Sequence, residues 1–183
     1  MFDRKGGMVK VNNMNLDEMK NFMEEVKQDY SKSKKSKKVE CSWNFNEGKP
    51  QMESKVQHPK GETYLQSDFA PFMGGNGLAP DPIQYCLFGL AACFAGTFMS
   101  MATTMGIRIQ SLMVSAENCM NLGKTLGLTD NPIVENVKIT TSVKSDAKEE
   151  QLRELERLAR ERCPGVHCLI NPIPLELELI HVR

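Results

Sequence analysis

Apolar and polar positions change period several times along this chain of 183 residues, and each change marks an element. Leu16, Met19, Phe22, Met23 and Val26 recur at helical spacing behind Asn15 and Glu18, which resemble a capping box, so a short amphipathic helix is expected over about 15–30. The lysine and serine run SKSKKSKK that follows reads as an exposed linker. From Val39 the period drops to two: Val39, Cys41, Trp43 and Phe45 alternate with Glu40, Ser42, Asn44 and Asn46, the pattern of a half-buried strand. Asn46-Glu47-Gly48-Lys49 supplies a hairpin turn. Strands at about 50–58 and 62–68 flank a second turn, His58-Pro59-Lys60-Gly61.

The next stretch, FMGGNGLAPDP, has no GxGxxG spacing and no Lys-Ser/Thr pair, so a flexible approach loop is expected rather than a phosphate cradle. Asp81 as a cap and Pro82 in the first turn start a helix that Gly106 ends. No charged residue occurs from Pro82 to Ile107, a length that could span a bilayer. Gln84, Gly89, Gly96, Thr97, Ser100, Thr103 and Thr104 interrupt it, and no basic flank orients it, so the reading is a buried helix of a soluble protein or dimer. Strands at about 107–120 and 133–145 follow, the second with Val137, Ile139, Thr141 and Val143 alternating, separated by the loop NLGKTLGLTDNP. AKEEQLRELERLARER is an amphipathic helix with Leu152, Leu155, Leu158 and Ala159 as its stripe. Cys163-Pro164-Gly165 breaks it, and a last strand is expected with Leu175, Leu177 and Leu179 on one face.

This order predicts an α+β fold with antiparallel sheets around a long buried central helix. One chain offers too little surface to cover that helix on all sides, which points to a homodimer. Two regions are expected: 1–38, a helical extension with its Lys/Ser linker, and 39–183, the main domain.

Composition narrows the function classes. The chain is 40% hydrophobic and 25% charged, as globular proteins are, and 23 Lys+Arg balance 23 Asp+Glu. No overall field favours nucleic acid or a membrane surface, and neither is expected as a partner. The N-terminal MFDRKGGMVKVNN lacks a secretory pattern, so a cytoplasmic location and reduced thiols are expected. Six cysteines, at 41, 86, 93, 119, 163 and 168, show no disulfide-scaffold spacing.

Of these, Cys93 lies within LAACFAG, where a small packing residue is the ordinary reading. Cys86 is about 10 Å away along the same helix, too far for a disulfide, and it, Cys41 and Cys119 read as packing. In Cys163-Pro-Gly-Val-His167-Cys168 the spacing does not suit a common zinc site, and no metal is expected. His167 could neighbour a pocket or satisfy the turn, and Cys168 could stand in for Cys163.

The run SDFAPFMGGNGLAPDPIQYCLFGLAACF (67–94), with Gly106-Ile107 and Cys163-Pro164, resembles the OsmC-like family, which includes the organic hydroperoxide resistance proteins. The resemblance covers about 39–183. It implies an intertwined homodimer in which Cys93 is the thiol that attacks a peroxide and Cys163 the thiol that resolves it, with no cofactor. The implied cycle passes through a sulfenic acid and a disulfide, which a cellular dithiol reduces. Phe94, Ile83 and Phe72 are the residues expected to bind a small organic hydroperoxide. A family member without peroxidase activity would instead hold a small hydrophobic ligand in the dimer pocket. The family's peroxidases carry a glutamate one residue after the helix-starting proline, oriented by an arginine of an upstream loop. Here that position is Ile83, and the loop from Ser67 to Asp81 has no arginine. Asp68, Asp81, Arg4, Arg108 or an element of the partner subunit are the substitutes at hand.

Overall fold

A computed structural model describes residues 10–182. The elements are β1 (Lys10–Val11), β2 (Met14–Asn15), α1 (Leu16–Gln28), β3 (Ser42–Trp43), β4 (Met52–His58), β5 (Gly61–Ser67), α2 (Pro82–Thr104), β6 (Ile109–Met120), β7 (Val134–Ser145), α3 (Glu149–Arg162) and α4 (Pro164–Ile170). The fold is α+β with antiparallel sheets, as the periodicities predict. Two compact units divide it, Met1–Gly89 and Leu90–Arg183, and the division falls inside α2. Arg4 lies outside the described residues.

In the first unit, the Asn15 side chain accepts from the backbone amides of Asp17 and Glu18 and so starts α1. None of that helix is fully buried, and Phe22 and Met23 remain exposed. β3, β4 and β5 form one antiparallel sheet, with the β4–β5 hairpin in register from Met52↔Ser67 to His58↔Gly61. The strand expected over 39–46 is shorter. Only Ser42 and Trp43 pair with β4, and Phe45 is 90% exposed, because alternation gives a strand tendency that backbone pairing must complete.

The glycine-rich loop departs from expectation more clearly: it is tied down. Buried Asp68 accepts the amides of Asn76 and Leu78 through Oδ2 at 3.2 and 3.0 Å. Gln51 donates to the Gly74 carbonyl and accepts from the Phe69 amide. A Cβ on Gly75 would lie 2.0 Å from the Phe69 carbonyl oxygen, so no side chain fits there. The loop leads into a capping box at α2. The Asp81 carboxylate accepts the Ile83 amide at 2.9 Å, and the Gln84 side chain accepts the Asp81 amide at 2.9 Å.

In the second unit, α2 closes on a Schellman motif with Gly106 in the left-handed region at φ 71°. The Ile107 amide returns to the Ala102 carbonyl and that of Gly106 to Thr103. β6 and β7 form a long hairpin, offset by irregularities after Ile109 and near Cys119. Its inner face, with Leu112, Val114, Ile139 and Val143, packs on a core of Phe94, Phe98, Ala102, Ile107, Leu155, Ala159, Cys163 and Val166. The stripe expected on α3 supplies Leu155 and Ala159, both fully buried.

α2 is long and apolar enough to cross a membrane by length and composition. Its Phe94, Phe98, Ala102 and Thr103 are buried inside the protein. The rest is not covered on all sides: Phe88 is 69% exposed. Two further expectations fail. Cys163-Pro164-Gly165 ends α3 but also begins a new helix, α4. Residues 172–182 carry no strand, with Leu175, Leu177 and Leu179 at 81%, 89% and 96% exposure. Their alternation suits a sheet edge, and no such edge meets them among the described residues.

Candidate functional site

Everything that brings two thiols together lies in the second unit. α2 carries Cys93, one residue before buried Phe94. α3 runs back along the core, and its last turn delivers Cys163, whose amide still bonds to Ala159 at 2.9 Å. Leu155 and Ala159, two turns and one turn earlier at i, i+4 spacing, hold that helix face in the core, so Cys163 arrives fully buried.

The Cys163 and Cys93 sulfurs are 3.5 Å apart. A disulfide needs about 2.05 Å, so both thiols are free and one small side-chain movement from bonding. Pro164 then occupies the first position of α4, where its missing N–H costs nothing. The next amide, that of Gly165, has no carbonyl within its own helix and donates to the Cys93 sulfur at 3.4 Å. Glycine is what allows this approach. A Cβ at position 165 would meet Leu90 Cδ1 at 3.2 Å and Cys93 Cβ at 3.4 Å.

Burial pushes the Cys93 thiol above its ordinary value. The Gly165 hydrogen bond opposes the rise, and Cys163 beside it and the charge on Cys168 add to it. Position 93 is too far into α2 for that helix's own free amides to reach. The donor comes instead from the start of a different helix. Spacing along α2 could not reveal it, although Cys-Pro-Gly contained the signal, since proline opens a helix as readily as it ends one.

Phe94 and Val166 line a cavity of about 550 Å³. Val134, Val137 and Ile139 of β7 and Leu169 and Ile170 of α4 provide apolar wall, with Glu156 and Arg160 of α3 among its lining residues. Such an enclosure suits a small, largely hydrocarbon molecule with one polar end. Phe94, the residue after Cys93, lines the cavity, whereas Ile83 and Phe72 belong to the first unit, Ile83 half-buried and Phe72 77% exposed.

Of the residues expected to substitute for a glutamate at position 83, the two carboxylates are engaged elsewhere. Asp68 and Asp81 hold backbone amides of the loop and the α2 cap, while Arg108 is exposed. The packing expected of Cys41, Cys86 and Cys119 is not found, since all three are exposed, as is Cys168. Cys119 reaches solvent at the irregular end of β6, with Glu135 as its partner. His167 is exposed too and meets the Asn171 side chain at 3.1 Å. Among the described residues, no group of three or more His, Cys, Asp and Glu is placed to hold a metal ion.

Two thiols from separate helices, brought within bonding range on an α+β scaffold of antiparallel sheets, define a dithiol site. The chain belongs to the OsmC-like protein family, whose match covers residues 74–178. Similar solved structures include an organic hydroperoxide resistance protein from Legionella pneumophila, 18% identical, with 75% of this chain and 92% of that one covered at a TM-score of 0.55. A putative osmotic stress induced and detoxification response protein from Psychrobacter arcticus is 17% identical over 76% and 91%, at 0.56. An organic hydroperoxide resistance protein from Elizabethkingia anophelis, with thiocyanate bound, is 15% identical over 75% and 91%, at 0.55. At these identities the likeness establishes the fold. A search of curated proteins finds no match.

Proposed function

We propose that this protein reduces organic hydroperoxides with Cys93 as the attacking thiol and Cys163 as the resolving one. The single observation that carries the reading is the 3.5 Å approach of the two sulfurs across 70 residues of sequence. Cys93 as thiolate attacks the terminal peroxide oxygen, the O–O bond breaks, and an alcohol leaves with a proton as sulfenic acid forms on Cys93. Cys163 attacks that sulfur and expels water, and the resulting disulfide is returned to two thiols by a dithiol. No cofactor enters. The Gly165 amide favours the reactive thiolate, and the neighbouring apolar cavity suits a hydrocarbon-bearing peroxide over a charged one.

The work would be done by a homodimer in the cytoplasm, where dithiol reductants are available. The uncovered Phe88 on α2 and the exposed leucines at 175, 177 and 179 support a second copy as the missing cover. One specific observation favours a second reading. Ile83 stands where the family's peroxidases place a glutamate, and a protein without that activity could use the 550 Å³ cavity to hold a small hydrophobic ligand.

Mixing reduced protein anaerobically with one equivalent of cumene hydroperoxide and mapping its disulfides by mass spectrometry tests the first reading. Rapid formation of a Cys93–Cys163 bond, abolished by Cys93→Ser, supports it. Thiols that remain free after long exposure leave only the ligand-binding reading.

A further inference from the structure

The peroxide cycle leaves one thiol of the Cys163–Cys168 segment unused. A Cys93–Cys163 disulfide formed from this arrangement would join a half-buried sulfur to one whose residue is fully buried. A protein reductant must bring a thiolate in line with one of the bonded sulfurs, and burial obstructs that approach.

Cys168 lies three residues beyond Gly165 in α4. Residues at that spacing share a helix face, about 4.5 Å apart along the axis at 1.5 Å per residue. Gly165 is the residue that faces Cys93, because its Cβ would touch Cys93 Cβ and lie 3.6 Å from Cys93 Sγ. Val166, Leu169 and Ile170 face the cavity, so the rotation of 100° per residue puts Cys168 on the opposite flank of the Gly165 face. Unlike Cys163, it is exposed. Its proximity is also felt electrostatically, since the charge of Cys168 is among the influences that raise the Cys93 thiol.

We infer that Cys168 is a relay thiol that carries the oxidised state from the buried Cys93–Cys163 bond to the surface, where a protein dithiol reduces it. This rests on the peroxidase reading and adds a step to it. The Cys168 thiolate attacks the Cys93 sulfur, the Cys93–Cys163 bond breaks, and Cys163 leaves as a thiolate that takes up the proton Cys168 gave up. No electrons enter or leave in this exchange. The reductant's first thiolate then attacks exposed Cys168, releasing Cys93. Its second thiol closes the reductant's own disulfide and frees Cys168, for a net transfer of two electrons and two protons.

The test uses the full chain with Cys41, Cys86 and Cys119 changed to Ser, and it forms every bond without hydroperoxide, so a failure of peroxide chemistry leaves the result readable. In the Cys163→Ser form, one equivalent of dithiobis(nitrobenzoate) is expected to release two equivalents of thionitrobenzoate and leave a Cys93–Cys168 bond. Release that stops at one equivalent, or a bond between Cys168 residues of two chains, overturns the relay. With Cys163 intact, which guards against misfolding of that variant, diamide-oxidised protein is alkylated and mapped. At least about a tenth of chains should carry alkylated Cys163 with Cys168 bonded to Cys93, and none doing so counts against the inference. Finally, Cys168→Ser should slow reduction of the oxidised protein by thioredoxin at least about tenfold. An unchanged rate overturns the relay even where the bond can form.

Discussion

The Gly165 amide, in the first turn of a helix that begins one residue earlier at Pro164, donates to the Cys93 sulfur at 3.4 Å. This contact places an otherwise unused helix-start amide on the thiol that has the most to gain from it, and it depends on position 165 having no side chain. Val at 165 would press on Leu90 and on Cys93 itself. Gly165→Val is expected to destabilise the fold by about 1–3 kcal/mol, the usual range for overpacking, and to slow Cys93–Cys163 bond formation at least about tenfold. Urea denaturation and timed disulfide mapping measure the two effects separately.

Titration of Cys93 provides a second prediction. Burial raises this thiol above its ordinary value, with Gly165 opposing, so its alkylation by iodoacetamide should accelerate with pH through an inflection above the ordinary thiol value of about 8.5. A group whose folded pKa exceeds its unfolded one contributes stability that is present below the unfolded pKa and is lost as pH rises through the folded pKa. Reduced protein should therefore lose stability on the alkaline side of about pH 8.5, and Cys93→Ala should lose less. An inflection below the ordinary value in the wild type would contradict the assignment.

Asp68 gives a prediction remote from the thiols. Its Oδ2 accepts two amides of the glycine-rich loop, and its Oδ1 has no hydrogen-bond partner among the described residues. Asp68→Ala strands the Asn76 and Leu78 amides, which should cost about 1–3 kcal/mol. Hydrogen exchange should quicken at those two amides and leave the Ile109–Met120 strand unchanged. Equal protection in both proteins would show that the loop holds itself.

The core of the second unit can be probed at Phe98, which is 1% exposed. Phe98→Ala should cost about 3–5 kcal/mol, as large-to-small changes at buried aromatics do. Phe88 on the same helix is 69% exposed in the single chain, so Phe88→Glu should leave the fold of one chain intact and shift sedimentation from dimer to monomer. A monomeric wild type at micromolar concentration would remove the dimer from the proposal.

Much of the architecture was legible in sequence. Apolar periods of two and of about 3.6 are local properties, and they located the β4–β5 and β6–β7 hairpins and helices α1, α2 and α3. Asp81, Pro82 and Gly106 marked the ends of α2 because caps and left-handed turns depend on a few neighbouring residues. The strand expected near Leu175 was not legible in this way, because a strand exists only where another edge accepts its hydrogen bonds. The exposure of Cys41, Cys86 and Cys119 was hidden for a related reason: alternation or apolar company says that a face could be covered, not that anything covers it.

At the site, Cys93 by its neighbours read as packing, and the family resemblance alone paired it with Cys163. Only the tertiary structure set their sulfurs 3.5 Å apart and turned the Gly165 amide onto one of them. Residues 70 positions apart meet because Phe94, Phe98, Leu155 and Ala159 bury one helix face against another, and that packing is a property of the folded core. The same packing converts Pro164 from the end of one helix into the start of the next, which is how a segment that reads as a chain break supplies the donor that α2 could not supply for itself.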